Sequence, residues 1–222
     1  MQVIVVVADE SHEKYAQQVC TMIEDAARLR GTGIAKREPE YISKKILEGK
    51  SVIALDDGRV VGFCYIESWQ GHKFVANSGL IVHPEYRQTG LAKQIKTKTF
   101  ELSRKKFPEA KIFGITTSLA VMKINSELGY KPVTFSELTE DETFWKGCQS
   151  CSNYDILLRT DRKMCLCTGM VCDPANLATL PKEKEKRGAI RWKQFKTFLA
   201  NQKQVSQLRN SVYPKINKLL NK

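Results

Sequence analysis

One stretch narrows the choice of fold more than any other: Leu80-Ile81-Val82-His83-Pro84-Glu85-Tyr86-Arg87-Gln88-Thr89-Gly90-Leu91-Ala92. An apolar run leads into it, and Leu91, Ile95 and Leu102 follow at helical spacing. That pattern predicts a strand, a tight turn and a helix start, a unit belonging to layered α/β or α+β folds. The small residues Gly90 and Ala92 let backbone come close to a ligand. The first N–H groups of a helix have no intrahelical partner and sit at the positive end of its dipole, so the turn predicts a phosphate cradle. The three-glycine dinucleotide fingerprint, with its acidic residue after the next strand, is absent.

The turn, Arg87-x-x-Gly90-x-Ala92 after Val82-His83-Pro84, resembles the acetyl-CoA motif of the GNAT superfamily of acyltransferases. The resemblance implies a GNAT fold, a mixed central sheet with helices on both faces, and acetyl-CoA or another acyl-CoA as cosubstrate. It assigns cofactor binding to Ile81, Val82, Arg87, Gln88, Thr89, Gly90, Leu91 and Ala92, with Ser118 and Asn125 on the fourth helix. The backbone of residues 88–92 would hold the pyrophosphate. N–H groups of residues 80–82 would polarise the thioester, and strands 80–82 and 112–116 would splay around the pantetheine arm.

The elements around the turn agree in order. Residues 2–8 form a β-branched strand, and Tyr15, Val19, Met22, Ile23 and Ala26 recur as a helix that Ser11 can cap. Pro39 opens a second helix that Gly49 closes. Residues 52–55 and 60–69 are strands joined by Asp57-Gly58, a strong hairpin signal. Residues 74–82 complete the meander. A third helix runs to Phe107, before Pro108; residues 111–116 form a strand, residues 119–128 a fourth helix ended by Gly129, and residues 133–135 a short strand. The resemblance covers residues 1–160, leaving 161–180 to complete a hairpin and link to a tail at 181–222.

Two departures bear on chemistry. Where GNAT members often carry a Tyr that protonates the leaving thiolate, this chain has Asn125, which can hydrogen-bond the thiolate but not protonate it. Where many place a Glu before the cofactor turn, it has Asn77-Ser78-Gly79. Glu67 on the preceding strand is then the candidate base, acting through water, against the plainer reading of a solvent-facing strand residue. An α-amino acceptor, with an ordinary pKa of about 7.7–8.0, needs little help from a base. By the same resemblance Lys36 and Arg37, in the loop between the first two helices, become candidates to grip an acceptor carboxylate, Arg through its two-pronged fork.

The late segment Phe144-Trp145-Lys146-Gly147-Cys148 and Thr168-Gly169-Met170 is similar to stand-alone bacterial GNAT proteins associated with arginine-biosynthesis genes. That implies glutamate as the acceptor and acetyl or succinyl as the acyl group. A non-catalytic CoA-sensing or nucleic-acid-docking module is the alternative.

Five of seven cysteines lie between Cys148 and Cys172. Cys148-x-x-Cys151 hints at zinc. Residues 153–159 and 163–170 read as a hairpin around Asp161-Arg162, which sets Cys151 against Cys172 and leaves Cys167 roughly 15 Å from Cys172 along the strand. The expectation is therefore buried free thiols and no metal. An odd cysteine count and no basic, apolar leader predict a reducing cytoplasm.

Charge is uneven. The chain carries +12, and residues 182–222 hold twelve Lys/Arg against two Glu, leaving only +2 for the rest. An apolar stripe through Ile190, Trp192, Phe195 and Leu199 makes the tail a basic amphipathic helix. It is expected to pack on its own domain or a partner chain, such as a second copy, with nucleic acid a weaker candidate and a membrane excluded.

Overall fold

The computed structural model describes residues 3–30, 36–149 and 151–177. The expected basic tail lies outside the described residues.

A seven-stranded mixed sheet runs in the order β1-β2-β3-β4-β5-β7-β6. Its strands are β1 (Ile4–Val7), β2 (Ser51–Asp56), β3 (Arg59–Trp69), β4 (Phe74–Val82), β5 (Lys111–Thr116), β6 (Lys131–Val133) and β7 (Thr168–Cys172). Only β4 and β5 pair in parallel. Period-two alternation sends Ile53 and Phe63 to one face and Val52, Ala54 and Cys64 to the other. On the first face, α1 (Ala16–Arg30) and α2 (Pro39–Leu47) bury Val19, Ile23, Ile42 and Ile46. On the second, α3 (Leu91–Lys106) buries Leu91 and Ile95. The third helix, the meander and helices on both faces are as the sequence predicts. At the start of the chain, Asp9 rather than Ser11 caps the 3-10 turn that leads into α1.

The C-terminal hairpin is not formed. Residues Tyr154–Arg159 are a helix, here α6, which follows α4 (Leu119–Glu127) and α5 (Glu142–Lys146) and precedes α7 (Pro174–Leu177). A short apolar run such as Ile156-Leu157-Leu158 has no period of its own, so its partners decide its conformation. Here Tyr154 and Leu157, one helical turn apart, pack against Phe113, Trp145 and Cys148. Asp161 and Arg162 do turn, both with positive φ, but they end the helix: Arg162 N–H bonds Leu157 O and Asp161 N–H bonds Leu158 O. Strand β7 instead inserts between β5 and β6, antiparallel to both, so the sheet extends beyond residue 160.

This placement predicts an asymmetry between neighbours. Leu157 is 2% exposed and Leu158 is 67% exposed. Urea denaturation should show Leu157→Ala losing about 2–5 kcal/mol and Leu158→Ala staying within about 0.5 kcal/mol.

Candidate functional site

Strands β4 and β5 share only three ladder pairs, Phe74 with Lys111, Val75 with Ile112 and Ala76 with Phe113. Beyond them the strands part. A register shift between Phe63 and Tyr65 moves the β3 partner from Ser78 to Ile81, placing a bulge at Gly79 and Leu80. Gly79 has φ 62°, and a Cβ there would lie 2.4 Å from Tyr65 Cε1. Only glycine lets the tyrosine ring lie against the bulged backbone.

The gap opens into a cavity of about 470 Å³. One wall is Ser78, Gly79, Leu80 and Ile81 of β4; the facing wall is Gly114, Ile115 and Thr116 of β5. Just past the end of β4 lies the turn that carries the motif. Gln88 and Gly90 both have left-handed φ, 66° and 85°. Gly90 is the N-cap of α3, with no side-chain cap and no acidic residue in the first turn. The first N–H groups of α3 are thus uncapped by any side chain at the positive end of a 16-residue helix. Residues 87–90 are exposed and Leu91 and Ala92 turn inward. Arg87 Nε donates to Val82 O at 3.4 Å, and Thr89 Oγ1 donates to Tyr86 O at 2.7 Å, which hold the turn to the strand end.

Alternation on β3 places Tyr65, Glu67 and Trp69 on the cavity side. Helix α2 sends Tyr41 and Lys45, four residues apart, to the same carboxylate. The Tyr41 hydroxyl donates to Glu67 Oε1, and Lys45 Nζ lies 2.8 Å from that oxygen. Glu67 is therefore not a solvent-facing strand residue. Burial pushes its carboxyl up to about 7, with Arg37 drawing it back. The Lys45 contact acts against that rise, so burial sets its direction. Burial also lowers the Lys45 ammonium from its ordinary value. Arg37 Nε donates to Tyr65 OH at 2.8 Å, and its guanidinium lies over the Tyr41 and Tyr65 rings.

The structure thus brings Glu67, Arg37 and Ile81 to one cavity. It does not bring Lys36, whose side chain is 68% exposed and reaches Glu24 and Glu38. Ser118 caps α4, accepting from Val121 N–H at 3.4 Å. Asn125 is buried but absent from the cavity lining: its Nδ2 approaches Met170 Sδ at 3.7 Å, and its Oδ1 has no partner. The sequence reading missed Tyr41, Lys45 and Tyr65. The first two follow from the α2 periodicity, one step round from the core positions Ile42 and Ile46.

The thiols are also arranged differently from the hairpin register. Cys172 sits opposite Ile112 on the β5 ladder, while Cys148, Cys151, Cys165 and Cys167 line the common cavity. Burial, with neighbouring sulfurs adding to it, pushes Cys148 up to about 11 and Cys167 up to about 12. All seven cysteines are free. Among the described residues no three His, Cys, Asp or Glu side chains are grouped to hold a metal ion, and no helix is long and apolar enough to cross a membrane.

Residues 20–118, just under half of the chain, match the Acetyltransferase (GNAT) family. No curated protein matches the sequence. Among solved structures, N-acetylglutamate synthase from Neisseria gonorrhoeae, complexed with coenzyme A and N-acetyl-glutamate, is similar with a TM-score of 0.56 at 16% identity. The match covers 78% of this chain and 35% of that one, so this chain spans about a third of its length. A Mycobacterium tuberculosis protein in complex with CoA gives 0.55 at 13% identity over 77% and 98%. Diaminobutyrate acetyltransferase from Paenibacillus lautus, in complex with L-2,4-diaminobutyric acid and coenzyme A, gives 0.52 at 11% identity over 78% and 95%. At such identities the likeness is one of fold, and the described body has the GNAT fold.

Two glycine changes test the bulge. Gly79→Ala combines a left-handed φ with a clash on an aromatic ring, and should cost more than the about 1–2 kcal/mol of the φ alone. Gly114→Ala, whose Cβ meets nothing within 4 Å, should stay within about 0.5 kcal/mol. Urea melts of the two variants read the difference.

Proposed function

We propose that this GNAT-fold chain is an acyl-CoA-dependent N-acyltransferase acting on the primary amine of a small carboxylate-bearing acceptor, with glutamate the first candidate. The observation that carries the reading is the parted β4–β5 edge: it joins an uncapped helix N-terminus to a cavity holding a buried carboxylate and a guanidinium. The solved neighbours that hold CoA with amino-acid ligands support it.

In this reading the pyrophosphate lies on the N–H groups at the start of α3, where only φ at Gly90 restricts the residue type. The pantetheine arm fills the space between β4 and β5, in which neither strand has a ladder partner across the gap. The thioester carbonyl then meets N–H groups of residues 80–82, which stabilise the oxyanion as the amine adds. Holding both reactants in one cavity supplies much of the rate. Glu67 takes the proton from the attacking nitrogen. Its pKa near 7 suits a base that works at neutral pH. Tyr41 and Lys45 keep the carboxylate in place, and Arg37 offers its remaining N–H groups to an acceptor carboxylate. Residues Lys36, Ser118 and Asn125 have no direct part in this arrangement. The acyl group, acetyl or succinyl, and a link to arginine biosynthesis stay within this proposal.

The direct test is thiol release. Wild-type protein with acetyl-CoA or succinyl-CoA and a panel of amines should liberate CoA fastest with glutamate or a close relative. Binding of CoA without thiol release from any amine would favour a sensing module instead. Gly90→Glu should weaken CoA binding by at least about tenfold in calorimetry, since it adds charge repulsion and φ strain at the phosphate cradle.

Glu67 gives a pH prediction with a definite sign. The base form is the ionised carboxylate, so kcat rises as pH climbs through about 7 and falls below it. Glu67→Gln should lose that acidic limb and reduce kcat by about 10²–10⁴.

A further inference from the structure

Among the described residues, one buried cation beneath β4 has no carboxylate partner. Lys96, on α3, is 2% exposed. Its Nζ makes one long hydrogen bond, to Asn77 O at 3.4 Å, and stands 5.3 Å from the centre of the Tyr130 ring. An ammonium has three N–H donors. Among the described residues no carboxylate forms an ion pair with it. The titratable groups that face it are Cys64 of β3 and Tyr130, which follows α4. Burial raises both of those groups, so neither supplies a negative charge at neutral pH. A charged amine left this way is costly unless something else completes its bonding.

What could do so is indicated by where Lys96 lies. It lines the cavity beside Asn77, Ser78 and Leu80, the stretch of β4 that has lost its β5 neighbour. In the reaction proposed above, that is where the thioester sulfur passes. Several neighbouring groups are poorly suited to that role: Asn125 carries no acidic proton and does not line the cavity, burial raises the Tyr65 hydroxyl, and the cavity thiols Cys148 and Cys167 are pushed up to about 11 and about 12.

We propose that Lys96 is the catalytic acid that protonates the departing CoA sulfur. As the tetrahedral intermediate collapses, the C–S bond breaks and its electron pair goes to sulfur. An N–H bond of the Lys96 ammonium breaks and an S–H bond forms, giving free CoA thiol and a neutral lysine amine. Glu67 meanwhile holds the proton it took from the acceptor nitrogen. Return of that proton to Lys96 through solvent restores both groups, so acceptor amine and thioester become amide and thiol with no net change in the enzyme. Burial has brought the ammonium down to about 8, close to an ordinary thiol at about 8.5. Proton transfer between groups so matched is nearly balanced, which is where general acid catalysis is most efficient.

The inference rests on the acyltransfer reading, and the experiment separates the two. Lys96→Met and Lys96→Arg are compared with wild type for CoA affinity, for the pH profile of kcat, and with two acyl donors: acetyl-CoA and the acetyl ester of an acidic aryl thiol. In wild type the alkaline limb should fall through about 8, where Lys96 loses its proton. Both variants should bind CoA within about threefold of wild type, lose about 10²-fold or more in kcat with acetyl-CoA, and lack that limb. Arg retains the charge but cannot give up a proton. With the aryl thioester, whose sulfur leaves without help, the defect should shrink at least tenfold. An unchanged alkaline limb, or equal losses with both donors, overturns the role of Lys96 and leaves the acyltransfer reading standing. Failure of wild type to release thiol overturns both. A ¹⁵N-lysine NMR comparison of CoA with desulfo-CoA needs no variant to fold. A buried lysine signal near pKa 8 should move only when the sulfur is present, and equal movement with both ligands overturns the proposal.

Discussion

The loss of pairing between β4 and β5 after Ala76 is the constraint on which the rest of the site depends. A continuous parallel ladder there would fill the space that the cavity occupies and satisfy the backbone groups that the site leaves open. The sheet tolerates the break because each strand is held from its other side. β4 is tied to β3 on both sides of the bulge, and β5 to β7 at five positions. The bulge at Gly79 turns the β4 backbone at the point where the gap begins, and Tyr65 lies against it. Rigid neighbours thus support an opening that would otherwise close or fray.

Charge burial follows from the same opening. Glu67 has Lys45, Tyr41 and Arg37 around it, so a buried carboxylate is held by hydrogen bonds and opposite charge while burial still raises its pKa. Lys96, across the sheet on α3, has almost none of this support. The other polar residues that α3 buries, Thr99 and Ser103, donate to carbonyls of their own helix, whereas a buried ammonium has no such local partner and is costly to keep there. Two titratable groups whose surroundings move them toward neutrality from opposite sides are the arrangement expected of an acid and base pair.

Much of the scaffold was legible because it is local. Period-two alternation, the Asp57-Gly58 turn and the helical spacing after Gly90 each act within a few residues, and each appears in the structure as predicted. The turn before α3 was legible for the same reason: a left-handed glycine at a helix start is a property of the chain around it. The failure at residues 153–159 came from a segment with no period of its own. Packing of Tyr154 and Leu157 against Phe113 and Trp145 made it a helix, and those partners are distant in sequence. That helix lies between two pairs of cysteines in the chain, and all four thiols line one cavity.

The sequence by itself determined a strand, a glycine turn and a helix within a mixed α/β sheet, because backbone conformation and hydrophobic period are written in neighbouring residues. Only the tertiary structure decided which side chains share the cavity. Glu67 meets Tyr41 and Lys45 from α2, Lys36 turns away to Glu24 and Glu38, and Lys96 reaches the cavity from α3 beside Asn77 O. Those outcomes depend on burial and on contacts between elements, and neither quantity exists until the sheet and its helices have come together.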